Sequence, residues 1–167
     1  MNSRCRTHCE DLIRRTADSF PEIDSPGMRL ITRIFRLRDL IFENAQREMA
    51  RFDLSTTEFS VLSTLRKSPV PHALRPADIC KGMLLTSGGL TKVLKALEGR
   101  GLVDRADDPT DGRGCLIRLT PPGVAFAEQA MRAVIGSDVD LLLRAADADS
   151  VAAAAEALRP FTEALDR

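Results

Sequence analysis

At 167 residues, with 44% hydrophobic and 29% charged side chains, the chain is long enough to bury one sizeable core, and its Ala- and Leu-rich composition favours helix over sheet. Twenty-four Lys and Arg balance twenty-four Asp and Glu, which argues against a non-specific coat for nucleic acid. No apolar run approaches the roughly 18–20 residues that cross a bilayer, and no apolar segment follows Arg4 and Arg6 as in a secretory signal, so a cytoplasmic protein with no membrane partner and free thiols is expected.

Residues 1–26 read as an extension. A helix from Arg4 to Phe20 would carry Cys9, Leu12, Ile13 and Ala17 on one side and end at Phe20-Pro21 and Pro26-Gly27. Cys5, His8 and Cys9 share one face, but three ligands without a fourth fall short of the closed sites that structural zinc prefers; no metal and no cofactor is expected.

Residues 28–51 form a long helix. Ile31, Ile34, Phe35, Ile41, Phe42, Ala45 and Met49 make one apolar stripe, and Leu30, Leu37 and Leu40 add a second flank, so the helix touches two neighbours. Ser55 and Glu58 then have capping-box spacing, with Leu54 and Phe59 placed as a hydrophobic staple, and Phe59, Val61, Leu62 and Leu65 continue a helix to Ser68-Pro69. Residues 69–75 read as a loop holding a solvated His72.

Pro76 opens a short helix that stops at Gly82. Thr86 or Ser87 caps the next, where Leu90, Val93, Leu94 and Leu97 fall at i, i+3, i+4 and i+7 and Gly101 supplies a left-handed stop. Ser87, Gly88, Thr91, Lys92 and Lys95 then face away from the core, the arrangement with which a helix in a DNA major groove reaches base edges and phosphates. Gly88 and Gly89 each cost about 1 kcal/mol of helix stability relative to Ala, a cost compatible with close approach to DNA or with an ordinary packing contact. Val103 and its neighbours, then Cys115, Ile117 and Leu119, give two short strands, and DDPTDGRG turns between them to project Arg113 near the tip of a ribbon.

The helix followed by Gly101-Leu102-Val103-Asp104-Arg105, the D-x-R of Asp111-Gly112-Arg113 and the L-T-x-x-G of Leu119-Thr120-Pro121-Pro122-Gly123 resembles the MarR family of transcriptional regulators. The match is closest over residues 76–123, and the helix order extends it to 27–165. The resemblance implies a mainly α fold: one domain over residues 27–167, with a winged helix-turn-helix at 54–119, a short two-stranded β wing and dimerisation helices at 27–52 and 120–165. It further implies a homodimer reading a pseudo-palindromic operator in double-stranded DNA, acting as a repressor whose affinity falls when a small effector binds. Thr86, Ser87, Gly88, Thr91, Lys92, Lys95, Arg105 and Arg113 are the expected DNA contacts.

After the wing, Thr120 caps and Pro121 or Pro122 starts a helix that Gly136 bends, and Asp149 or Ser150 starts the last helix, which Pro160 kinks. Positive charge concentrates in the reader: residues 81–118 hold seven Lys and Arg against five Asp and Glu, whereas residues 121–167 hold four against eight. The effector pocket implied by the resemblance lies between the dimer helices and the winged helix, where Phe35, Arg38, Phe42, Phe59 and Leu62 suit an aromatic or acyl ligand with an anionic group. Arg38 could equally pair with a carboxylate, and without a Trp a urate pocket is disfavoured.

Three other readings compete. An enzyme would lack any phosphate loop, H-E-x-x-H or G-x-S-x-G and would have only two histidines. A winged helix for protein contact would not need Lys92, Arg105 and Arg113 on one surface. A thiol-based redox sensor of the same fold, similar to the peroxide-sensing branch, would carry its cysteine early in the long helix, where residues 28–42 have none; Cys80 and Cys115 read as packing residues, which leaves Cys5 and Cys9.

Overall fold

Helix ends in this chain are set by single side chains and by residues that turn the backbone left-handed. The computed structural model describes residues 8–83, 87–109 and 114–166. They form α1 (Cys9–Ser19), a 3-10 turn (Pro21–Ile23), α2 (Pro26–Arg51), α3 (Thr56–Lys67), β1 (Ala73–Leu74), α4 (Pro76–Met83), α5 (Ser87–Gly99), β2 (Val103–Asp107), β3 (Cys115–Leu119), α6 (Pro121–Ala145) and α7 (Ala148–Leu165). Among the described residues, no helix is long and apolar enough to cross a membrane.

The chain divides into two compact units, Met1–Asn44 and Ala45–Arg167. In the first, α1 lies on the opening turns of α2: Glu10 accepts two hydrogen bonds of 2.9 Å from Arg33, and the Cys9 thiol sits 3.9 Å from the Thr32 carbonyl oxygen. Ile13 is buried as its spacing predicts, but Leu12 stays half exposed, so the apolar side of α1 is narrower than expected. The long helix begins two residues before the predicted start because Ser25 Oγ accepts from the Met28 amide.

The second unit holds the winged helix. Its α3 opens with the predicted capping box: Ser55 Oγ accepts from the Glu58 amide at 3.2 Å, and the Ser55 amide donates to Glu58 Oε2 at 2.8 Å. One face of α3 then delivers Val61, Leu62 and Leu65 to the core, where they meet Ile79 of α4, Leu90, Leu94 and Leu97 of α5, Ile117 of β3, and Ala127, Ala130 and Val134 of α6. Each fully buried aliphatic side chain contributes about 1.5–3 kcal/mol, so this cluster is the main source of stability of the unit.

The predicted two-stranded wing is present as β2 and β3, antiparallel, with Val103 opposite Leu119 and Asp107 opposite Cys115. A third strand, β1, pairs with the other edge of β3 through Ala73–Arg118 and Leu74–Ile117, giving the order β1-β3-β2. This overturns the reading of residues 69–75 as a plain loop. It also corrects His72, which is half-buried at φ 59° and donates from Nδ1 to the Ser68 carbonyl at 2.8 Å.

Two helices close with the same six-residue bond pattern. At the end of α5 the amides of Gly101 and Leu102 reach back to the carbonyls of Glu98 and Leu97; at the end of α2 those of Asp53 and Leu54 reach Ala50 and Met49. Gly101 takes the left-handed position at φ 68° as predicted, and Asp53 takes it at φ 52° without being glycine. The helix α4 runs one residue past Gly82, and α6 continues through Gly136 and α7 through Pro160. In α7 the cap is Asp147, whose carboxylate accepts from the Ser150 amide at 2.7 Å, in place of the predicted Asp149 or Ser150.

Gly123 marks the tightest approach. A Cβ there would lie 1.8 Å from the Leu102 carbonyl oxygen, whereas one at Gly136 would meet nothing within 4 Å. Gly123→Ala should therefore lower stability by about 3 kcal/mol or more, the upper end of overpacking costs, because the obstacle is backbone. Gly136→Ala should raise it by about 0.5–1 kcal/mol through the helix interior alone. Chemical denaturation of the two variants beside the wild type checks both signs.

Candidate nucleic-acid interface

The apolar stripe of α5 decides what its opposite face presents. Leu90, Leu94 and Leu97 are buried and Val93 is half-buried, which turns Thr91, Lys92 and Lys95 outward, all exposed. Gly88 lies in the first turn and Gly89, one residue on, is exposed. Thr86 and Arg113 lie outside the described residues, as does the side chain of Ser87. A 13-residue helix is about 20 Å long by its rise per residue, so a hydroxyl and two ammonium groups on one side match the reach of a helix seated in a major groove.

Charged side chains that sequence reading passed over hold the ribbon beside this helix. Arg118 on β3 sits opposite Asp104 on β2 and makes a double hydrogen bond at 3.1 and 2.8 Å. That contact from Arg118 holds the Asp104 carboxyl below its ordinary range. Arg105, expected to contact DNA, places its Nε 2.8 Å from Glu98 Oε1, an ion pair between β2 and the end of α5 that leaves half of the Arg105 side chain exposed.

At the distal end of the ribbon, Asp108 is buried with only 3% of its side chain exposed, and Arg75, just ahead of α4, donates from Nε to Oδ2 at 2.6 Å. The Asp108 amide donates to the Gly114 carbonyl at 3.2 Å, closing the ladder where the turn begins. The signal in the sequence was one acidic residue beside a proline, and its partner stands 33 residues earlier, beyond any local pattern. Arg100, also unmarked by sequence, donates to the carbonyls of Asp53 at 2.8 Å and Phe52 at 3.0 Å and lies 5.1 Å over the Phe126 ring. It joins the end of α2, the end of α5 and the start of α6.

The residues expected to line an effector pocket have individual environments. Phe35 and Phe42 are exposed at 63% and 41%, and Arg38 is an exposed side chain 3.3 Å from Asp39 on the same helix. Phe59 is half-buried against the core, and Leu62 is part of it. Sequence reading did not foresee a groove of about 790 Å³ between the end of α3 and the middle of α6. There Glu128 Oε1 accepts from Arg66 Nε and Nη2 at 2.9 and 2.6 Å, which holds the Glu128 carboxyl low.

A carboxylate whose pKa is depressed by folding adds stability that is present above its unfolded value, near 4, and is lost as pH falls through the folded one. Asp104 and Glu128 should therefore make the melting temperature drop as pH is taken from about 5 to 3. Arg118→Gln and Arg66→Gln should each flatten that decline. Arg75→Met should cost about 1–3 kcal/mol by leaving the buried Asp108 carboxylate without this partner, and Arg75→Met with Asp108→Asn should recover part of the loss in a denaturation cycle.

Comparison with known proteins places this geometry among relatives. Residues 52–114 match the model of the MarR family. The chain is 32% identical over 117 residues to the multiple antibiotic resistance protein MarR of Salmonella typhimurium, covering 70% of this chain and 76% of the relative. It superposes on apo wild-type MarR from Escherichia coli with a TM-score of 0.69 at 27% identity, over 82% of this chain and 97% of the other. A mutant E. coli MarR solved in complex with operator DNA matches with a TM-score of 0.64 at 25% identity, over 87% of this chain and 96% of that one.

Proposed function

Because the chain belongs to the MarR family of transcriptional regulators, we propose that it is a cytoplasmic, homodimeric repressor that reads a pseudo-palindromic operator with α5 and the wing. In this reading a small anionic or aromatic effector releases it. The observation that carries the proposal is the division of α5 into a buried Leu90, Leu94 and Leu97 stripe and an exposed face with Thr91, Lys92 and Lys95. The operator complex of the E. coli relative supports the same use of the fold. In this reading Gly88 permits close approach of backbone to DNA, and Arg113 is the cation that enters the minor groove.

Dimerisation is supported by apolar surface that a lone chain leaves in water. In the second unit Ile135, Val139 and Leu143 of α6 and Phe161 and Leu165 of α7 are 46–82% exposed. In the first, Phe20, Ile23, Ile31 and Phe35 are each more than half exposed. Surface of this kind on two sets of helices is characteristic of a partner interface. On the first unit the effector is proposed to engage the exposed Phe35 and Phe42, with the exposed Arg38 as the anion's counter-charge.

Lys92→Ala should weaken operator binding and lower the magnitude of the salt slope by about 1, as for a lost phosphate contact. Thr91→Ala should instead relax preference at one operator position at a cost of about 1–3 kcal/mol. Fragments selected from genomic DNA, then titrated with the three proteins at several salt concentrations, give the measurement; unchanged binding in both variants removes α5 as the reader. Half-sites should lie about 10 bp apart, and sedimentation at micromolar concentration should find a dimer.

A further inference from the structure

We propose that Arg100 is a spacing determinant, a positioning residue that fixes α5 against α6 and so sets which separation of operator half-sites the protein accepts. This role rests on the reading of α5 as the operator reader and of α6 as part of the dimer surface. The two helices meet at the C-terminal end of α5. There a Cβ on Gly123 would lie 1.8 Å from the Leu102 carbonyl oxygen, and the Thr120 hydroxyl donates to the Gly101 carbonyl at 2.6 Å. Contacts gathered at one corner resist translation better than rotation. Along its length α6 packs chiefly on α3, so a further attachment away from that corner is what defines the angle between α5 and α6.

Arg100 is that attachment. Its Nη1 donates to the Asp53 carbonyl at 2.8 Å and its Nη2 to the Phe52 carbonyl at 3.0 Å, while the guanidinium lies 5.1 Å over the Phe126 ring. Phe126 stands one helical turn beyond Gly123, and Phe52 meets its ring edge-on at 5.9 Å. The two carbonyls sit where the chain leaves α2, with Asp53 left-handed at φ 52°, so the cation also answers the negative end of that helix. One planar group thus bridges three elements of the second unit, which a lysine ammonium cannot do. Arg100 is exposed, and its contacts supply direction more than stability. The buried Leu90, Leu94 and Leu97 hold α5 to the core, but α6 meets that core through Ala127, Ala130 and Val134, whose small side chains interlock less than leucines. A small angle then matters. The 13 residues of α5 span about 20 Å, so a swing of about 10° at the anchored end carries the first turn about 3.5 Å, close to one base-pair step. From Phe126, α6 runs unbroken to Ile135, Val139 and Leu143, the positions proposed to meet the partner, and symmetry repeats the swing in the second copy.

The test uses the full-length protein and the operator fragment selected from genomic DNA, remade as duplexes whose half-sites stand about 8 to 12 bp apart centre to centre. Binding is read by fluorescence anisotropy for the wild type, Arg100→Met and Arg100→Lys, each checked as a folded dimer by circular dichroism and sedimentation. The wild type should prefer one spacing over its neighbours by about tenfold, and both variants should narrow that ratio to about threefold or less with no change in the salt slope. Arg100→Lys separates position from charge, because it keeps the charge and loses the fork. A spacing profile as sharp in both variants as in the wild type overturns the role. A uniform loss at every spacing in Arg100→Met that is absent in Arg100→Lys, with the salt slope lowered by about 1, also overturns it and marks Arg100 as a phosphate contact. If the wild type binds no duplex, or binds with no preferred spacing, the operator-reading dimer falls and this role with it, an outcome visible in the wild type alone.

Discussion

The contact between Gly123 and the Leu102 carbonyl is the point on which the winged helix turns. A missing Cβ lets the first turn of α6 lie against the chain leaving α5. Around it, Thr120 Oγ1 donates to the Gly101 carbonyl at 2.6 Å and accepts from the Gly123 amide at 3.0 Å, while the Thr120 amide donates to the Leu102 carbonyl at 3.1 Å. Four residues thus join the end of α5, both strands of the wing and the helix that follows. These bonds tie the exit of α5 directly to the ribbon.

Charges in this protein serve two purposes, and the structure separates them. Arg75, Arg100, Arg105 and Arg118 are tied to carboxylates or carbonyls and hold elements in place. The exposed Lys92 and Lys95 sit on the outward face of α5, where solvent screening makes them cheap to hold charged and accessible to a polyanion. A neutral total is therefore compatible with a nucleic-acid reader, since most of its acidic groups answer structural arginines or lie on the far helices. Exposed pairs of this kind add little stability singly; their value here lies in orientation, and the buried Asp108 is the exception.

Much of the fold was legible because its signals are local. The Ser55 and Glu58 box, the left-handed Gly101 and the Thr120 cap each involve groups within a few residues of one another, and the chain makes those bonds wherever it goes. The same reasoning failed at Asp147, since three acidic or hydroxyl residues in four positions offer equivalent caps and only the path of the preceding turn selects one. It failed more fully at β1, whose two residues carry no period and become a strand only because β3 passes beside them.

By itself the sequence determined which stretches are helical, their ends to within a few residues, and which face of α5 is apolar, because these depend on spacing and on backbone groups close along the chain. It determined the family through the residues around the wing for the same reason. Tertiary structure alone decided that Arg105 braces a strand, that Arg75 reaches a buried Asp108 and that Arg66, Lys67 and Arg132 gather beside Met131 and Ile135. Those partners lie up to 69 residues apart in the chain, and an ion pair or a groove has no signature until packing of the Leu62, Leu65 and Val134 core brings its walls together.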